Sequence, residues 1–144
     1  MDPPEELESI YQVAGRDFAN AGRISTAIMD TLKRLGVDSE VVRRVAIASY
    51  EAEMNMVMYA LRGRMSLRIS PHAVIIEAED EGPGIEDINL AMQEGYSTAT
   101  PEIQEMGFGA GMGLPNIKKN ADAFEITSEV SKGTRLFIRV NQRA

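Results

Sequence analysis

The chain has 144 residues, 44% of them hydrophobic and 26% charged, with no cysteine and a single histidine, His72. That length suits one compact domain able to bury its own core, and the missing thiols exclude disulfide frameworks, thiolate nucleophiles and Cys-ligated zinc. The 15 basic and 22 acidic residues leave a net charge of −7, which argues against duplex nucleic acid as a partner.

One histidine excludes a two-histidine metal site and weighs against Ser-His-Asp catalysis. Aromatic residues make up only 6% of the chain, too few to suggest stacking platforms for single strands. The opening Met1-Asp2-Pro3-Pro4-Glu5-Glu6 lacks the basic and apolar parts of a signal peptide. Apolar runs such as Ala73 to Ile76 are far too short to span a bilayer. The expectation is a cytoplasmic protein that forms one domain over residues 1–144.

In chain order, Leu7, Ile10, Tyr11 and Val13 suggest a first strand over residues 6–13. From Asp17 the apolar positions Phe18, Ala21, Ile24, Ile28, Leu32 and Leu35 recur at helical steps, and Gly36 stops that helix. Ser39 is the expected N-cap of a second helix, which runs through Val42, Val45, Ala46, Ser49 and Ala52 to about Leu61 and ends at Gly63. Residues 65–69 and 73–79 read as a hairpin around Ser70-Pro71-His72. Asp80-Glu81-Gly82-Pro83-Gly84 then interrupts the ladder.

Residues 86–94 suggest a short helix and 95–113 a long loop, of the length that usually carries function. Leu114 to Ala121 reads as a helix with Pro115 in its first turn, followed by strands over 124–130 and 134–140 around Ser131-Lys132-Gly133. The order predicts an α+β protein: a two-layer α/β sandwich with helices on one face of a mixed, mainly antiparallel sheet.

Four constellations could carry chemistry. Glu51 and Asn55 stand one helical turn apart on one face, offering a proton acceptor beside a hard ligand for Mg²⁺. Alone, the pair reads more simply as a solvated Glu and an Asn bonding its own helix. Asp80-x-Gly82-x-Gly84 follows a strand, where a carboxylate can accept from an exocyclic amino group and glycines admit a flat ring. It reads equally as an acidic turn.

Gly107, Gly109, Gly111 and Gly113 alternate before a helix, a place suited to phosphate. Their spacing fits neither the dinucleotide fingerprint nor the P-loop, and a ligand-free hinge is the alternative. Gly133-Thr134 is either an ordinary hairpin or a hydroxyl beside a bound base.

Other features read more simply. Glu53 faces away from Glu51 and is expected in solvent. Met54, Met56 and Met58 suggest core packing or a partner contact. Lys118, Lys119 and His72 read as exposed.

Taken in order, Glu51-x-x-x-Asn55, Asp80-x-Gly82-x-Gly84, the alternating glycines 107–113 and Gly133-Thr134 resemble the N, G1 and G2 boxes and terminal Gly-Thr of GHKL (Bergerat-fold) ATP-binding proteins. Within that superfamily the size is similar to anti-sigma-factor serine kinases. Glu94-Gly95-Tyr96-Ser97-Thr98 with Tyr59-Ala60 looks more like the switch serine kinases of stress modules. Sensor histidine kinases share the boxes but need a phospho-accepting histidine on a dimerisation helix, whereas His72 falls in a turn.

The resemblance implies that Asp80 accepts the adenine amino group, Gly82 and Gly84 shape the base pocket and Thr134 reaches the base. It implies that Asn55 binds Mg²⁺ shared with the phosphates and that Glu51 acts on the attacking hydroxyl. Residues 95–113 would be an ATP lid whose Gly107, Gly109, Gly111, Gly113 and Leu114 wrap the phosphates. The implied activity is phosphoryl transfer from Mg-ATP to a serine or threonine of a STAS-type (anti-sigma-antagonist-like) protein. The alternative is a nucleotide-gated binder that holds a sigma factor or activates a phosphatase, using the methionines as a surface. Homodimers occur in the anti-sigma branch.

Overall fold

A computed structural model describes residues 7–105 and 111–143. Strands β1 (Leu7–Ala14), β2 (Arg62–Ile69), β3 (Ala73–Glu81), β4 (Ala123–Glu129) and β5 (Gly133–Asn141) form one sheet in the order β1-β2-β3-β5-β4. Every ladder between these strands is antiparallel, so the sheet is simpler than the mixed one expected. Alternation sends Met65, Leu67, Ile69, Val74, Ile76, Ala78, Leu136, Ile138 and Val140 to one buried face. The register aligns them across strands, with Leu67 opposite Ile76 and Ile76 opposite Ile138.

Helix α2 (Ser39–Tyr59) lies across that face, with α1 (Arg23–Arg34) and α5 (Gly113–Asn120) packed against it. Because α2 is covered by the sheet and by both neighbours, it buries residues around most of its circumference. Small Ala48, Ser49 and Ala52 permit the close approach. Ile28 and Leu32 of α1 are fully buried, each worth about 1.5–3 kcal/mol of transfer free energy.

Several boundaries differ from the sequence reading, each for a local reason. A 3-10 turn at Phe18–Asn20 and Gly22 with φ of 93° precede α1, so the helix begins at Arg23 rather than Asp17. The N-cap of α2 is Asp38, whose carboxylate accepts from the Glu40 N–H at 3.1 Å, not Ser39. Gly63 lies inside β2 rather than ending α2. A Cβ there would fall 2.5 Å from Met56 Sδ, so glycine leaves room for α2.

Strand β3 continues through Asp80 and Glu81 before the Gly-Pro-Gly segment stops it. The segment 86–94 holds only the single turn α3 (Ile88–Ala91), and α4 (Pro101–Glu105) forms within the expected loop. No helix among the described residues is long and apolar enough to cross a membrane.

Candidate active site

The apolar rows of the sheet end in polar residues at one edge of the helical layer. Val74, Ile76 and Ala78 share a face of β3, and the same parity carries Asp80 to that face as the strand runs out. Thr134 follows in the same way from Leu136 and Ile138 on β5, and Ser128 from Ile126 on β4, directly opposite Thr134. Asp80 Oδ1 accepts from the Thr134 N–H at 3.1 Å, and the Ser128 and Thr134 hydroxyls are 2.9 Å apart. Burial raises the Asp80 carboxyl above its ordinary pKa, and the Thr134 N–H opposes that rise.

The glycines hold this corner together by close approach. A Cβ on Gly133 would lie 1.9 Å from the Asp80 carbonyl oxygen. At Gly84, with φ of 75°, it would lie 2.4 Å from the Glu129 carbonyl oxygen. The Gly82 N–H donates to Lys132 O, the Ser131 N–H to Pro83 O, and the Ile85 N–H to Ser128 Oγ at 2.7 Å. The segment after β3 is thereby fastened to the β4–β5 turn.

A cleft of about 660 Å³ opens beside this corner and runs along α2. The C-terminal end of α2 touches the Gly82 corner, where a Cβ on Gly82 would lie 3.1 Å from the Ala60 Cα. Glu51 lies two helical turns back from Tyr59, about 12 Å along the axis. That is about the span from base to terminal phosphate in a nucleoside triphosphate. Met54, Met58, Ile85, Leu90 and Ala91 supply apolar wall, while Glu51, Asn55, Gly113 and Asn116 supply the polar end.

Glu51 is half-buried against the start of α5. A Cβ on Gly113 would stand 3.2 Å from Glu51 Oε2, so glycine makes room for the carboxylate. Burial raises the Glu51 pKa, and a hydrogen bond from the Asn116 side chain partly offsets this. Met112 gives no side-chain cap to α5, which leaves the first N–H groups and the positive end of the helix dipole facing the cleft.

Glu51, Asn55, Asp80, Gly84, Gly111, Gly113, Leu114 and Thr134 all line this one cleft, and Gly82 sits beside Asp80. Gly107 and Gly109 lie outside the described residues. At the base of the 95–113 segment, the Gly95 N–H donates to Gly111 O at 2.9 Å. Among the described residues no group of three or more His, Cys, Asp or Glu side chains could hold a metal by itself. The oxygens present fit Mg²⁺ that arrives with phosphates and keeps its waters, rather than a protein cage.

Two expectations are corrected. Glu53 is buried at 2% exposure, not solvated. Its carboxylate accepts from the N–H groups of Gly22, Ile24 and Ser25 at 3.1, 3.2 and 2.9 Å and so caps α1. Of the two readings of Met54, Met56 and Met58, core packing holds and the partner surface is corrected, since all three are buried in the core and cleft wall. Sequence reasoning missed Asn116 and Ser128. Asn116 stands three residues after Gly113 and therefore on the same face of α5, and Ser128 shares the parity of Ile126.

Comparison with known proteins agrees with this geometry. The family model described as a histidine kinase-like ATPase domain matches residues 16–140. The chain belongs to that family. This ATPase is 32% identical over 128 residues to the serine/threonine-protein kinase RsbT of Bacillus subtilis, covering 89% of the chain and 77% of RsbT. It is 34% identical over 143 residues to an anti-sigma F factor of Clostridium kluyveri, covering 96% and 94% of the two chains. A Thermoanaerobacter anti-sigma F factor is 34% identical over 134 residues, covering 90% and 87%. As a histidine kinase-like ATPase the chain is an ATP-binding protein, and its α+β fold with a five-stranded antiparallel sheet is that of the GHKL superfamily.

Proposed function

We propose that the chain is a partner-switching serine/threonine kinase that transfers the γ-phosphoryl of Mg-ATP to a STAS-type regulatory protein. The observation that carries this reading is Glu51: a half-buried carboxylate of raised proton affinity at the polar end of a nucleotide-sized cleft. The kinase relative and the family support it.

In the proposed arrangement Asp80 accepts from the adenine amino group, with Thr134 beside the base and Gly82 and Gly84 admitting the ring. The N-terminus of α5, with Gly113 and Leu114, faces the phosphates. Asn55 would hold Mg²⁺, which supplies charge neutralisation on the phosphates. The 95–113 segment serves as lid over a single catalytic unit.

The substrate hydroxyl oxygen attacks the γ-phosphorus and forms the new O–P bond. The bond to the bridging oxygen breaks and its electron pair leaves with ADP, while the hydroxyl proton passes to Glu51. Such a transfer depends mainly on positioning and charge stabilisation, so one carboxylate, one metal and a helix terminus suffice.

The test is intact-protein mass spectrometry after mixing the chain, Mg-ATP and the STAS domains of one genome. One of them should gain a single phosphoryl group, and Glu51→Gln should slow that gain about 100-fold or more, as for a lost general base. Transfer by Glu51→Gln at the wild-type rate would sink the role of Glu51. A second reading, a nucleotide-gated binder of a sigma factor, draws on the anti-sigma F relatives. It requires sigma-factor binding with no mass gain on any STAS protein.

A further inference from the structure

We propose that Asn116 is a positioning residue for Glu51, its side-chain amide on α5 holding the carboxylate on α2 in the orientation that receives the substrate proton. The inference rests on the reading of Glu51 as proton acceptor.

The geometry begins with Gly113. Without a Cβ it lets α5 approach so closely that Glu51 Oε2 lies 3.2 Å from where that Cβ would stand. Asn116, at i+3, shares the face of α5 that Gly113 turns to Glu51, both line the cleft, and the Asn116 amide is within reach to hydrogen-bond the carboxylate. The Asn116 backbone is itself fixed. Its N–H donates to Met112 O at 2.9 Å, and its carbonyl accepts from Asn120 Nδ2 at 2.8 Å.

An amide beside a carboxylate has only one productive polarity, because the NH₂ attracts the anion and Oδ1 repels it. Donation from Asn116 occupies some of the carboxylate's acceptor sites and leaves the others for an incoming hydroxyl. A glutamate has three side-chain torsions, so nothing in its own side chain fixes the carboxylate. Released from Asn116, the carboxylate would leave the orientation that meets the incoming hydroxyl.

The test is a double-mutant cycle on the full chain. It reads the single-turnover rate of phosphoryl transfer to the STAS protein found by the mass panel, together with ATP affinity and melting temperature. Asn116→Ala should slow transfer about tenfold to 100-fold, the cost of a misplaced catalytic group, with ATP affinity within about twofold of wild type. Asn116→Asp should be slower still, since two carboxylates repel, and Asn116→Gln, which keeps the donor, should recover most of the rate.

In a Glu51→Gln background Asn116→Ala should add no further loss, because the group it orients is already gone. Full additivity of the two losses would overturn the proposal, as would a wild-type rate for Asn116→Ala. If Glu51→Gln alone keeps the wild-type rate, the reading of Glu51 fails, and the cycle separates that result from failure of Asn116. Should Asn116→Ala fold poorly, the contrast between the Asp and Gln variants decides the same question.

Discussion

In the proposed base pocket, Asp80 would combine two roles that pull against each other. Its burial raises the carboxyl pKa above the ordinary Asp value, with the Thr134 N–H opposing the rise, so the fold disfavours the charged form that a bound adenine amino group would use. The linkage has a definite sign. Below the ordinary Asp pKa both folded and unfolded chains hold the proton and no penalty arises. As pH rises from that value through the raised one, the folded chain keeps its proton longer, so stability falls and then levels off. Asp80→Asn removes this penalty while its oxygen can still accept from Thr134. The nucleotide-free variant should therefore melt at or above the wild-type temperature at neutral pH, with the difference vanishing in acid. ADP affinity should fall about fivefold to 150-fold, since an amide facing the adenine amino group leaves mismatched donors worth about 1–3 kcal/mol. Calorimetric unfolding across pH and ADP titration check the two halves, and ADP affinity within about twofold of wild type would remove Asp80 from the base pocket.

At the scale of elements, the order of strands and helices was legible because periodicities of two and 3.6 dominate the chain, and the elements expected from residues 6 to 140 all form. The site was legible where spacing alone places residues, as with Glu51 and Asn55 one turn apart and Asp80 at a strand end. Residues whose role depends on what crosses from another element were not legible. Glu53 looks like a surface glutamate on its own helix, and only the packing of α1 across α2 makes it a buried cap. Gly63 looks like a helix stop until Met56 is seen above it. Asp38 and Ser39 are both good N-caps, and the backbone chose the earlier one. The Glu53 contact predicts a strong effect on stability. Glu53→Ala would leave the N–H groups of Gly22, Ile24 and Ser25 without their acceptor, at about 1–3 kcal/mol for each N–H left buried and unpaired. With about 2–4 °C per kcal/mol for a chain near this size, the melting temperature should drop well beyond what a surface substitution causes. Thermal denaturation checks it, and a melting temperature unchanged by Glu53→Ala would show that the cap contributes nothing net.

For the whole molecule, the question is where the net charge of −7 resides. The sheet face turned away from the helices carries charges of both signs in cross-strand pairs. Arg62 pairs with Glu81, Arg64 with Glu79, and Arg68 and Arg135 both with Glu77. Such exposed pairs contribute little stability, but they mix the two signs within a few ångströms of each other. Near the cleft the balance differs. Glu86 and Asp87 line it, are exposed and form no ion pair among the described residues. A partner that presents a hydroxyl to Glu51 must approach this acidic rim, and after transfer it carries a phosphoryl group of about −1.5 to −2 charge at the same place. On the proposed function, repulsion between rim and product would favour release and so provide the partner switch. Salt is the discriminating variable, since the Debye length shrinks from about 10 Å at 0.1 M to about 3 Å at 1 M. Binding of the unphosphorylated and phosphorylated STAS protein, measured by calorimetry at low and high salt, should show the phosphorylated form weaker at low salt and the gap closing at high salt. Replacing Glu86 and Asp87 by Gln and Asn should narrow the gap at low salt, while replacing Arg64 and Glu79 on the opposite face should leave it unchanged. A gap that is independent of salt would mean that phosphorylation acts by steric misfit in the cleft rather than through the field of the molecule.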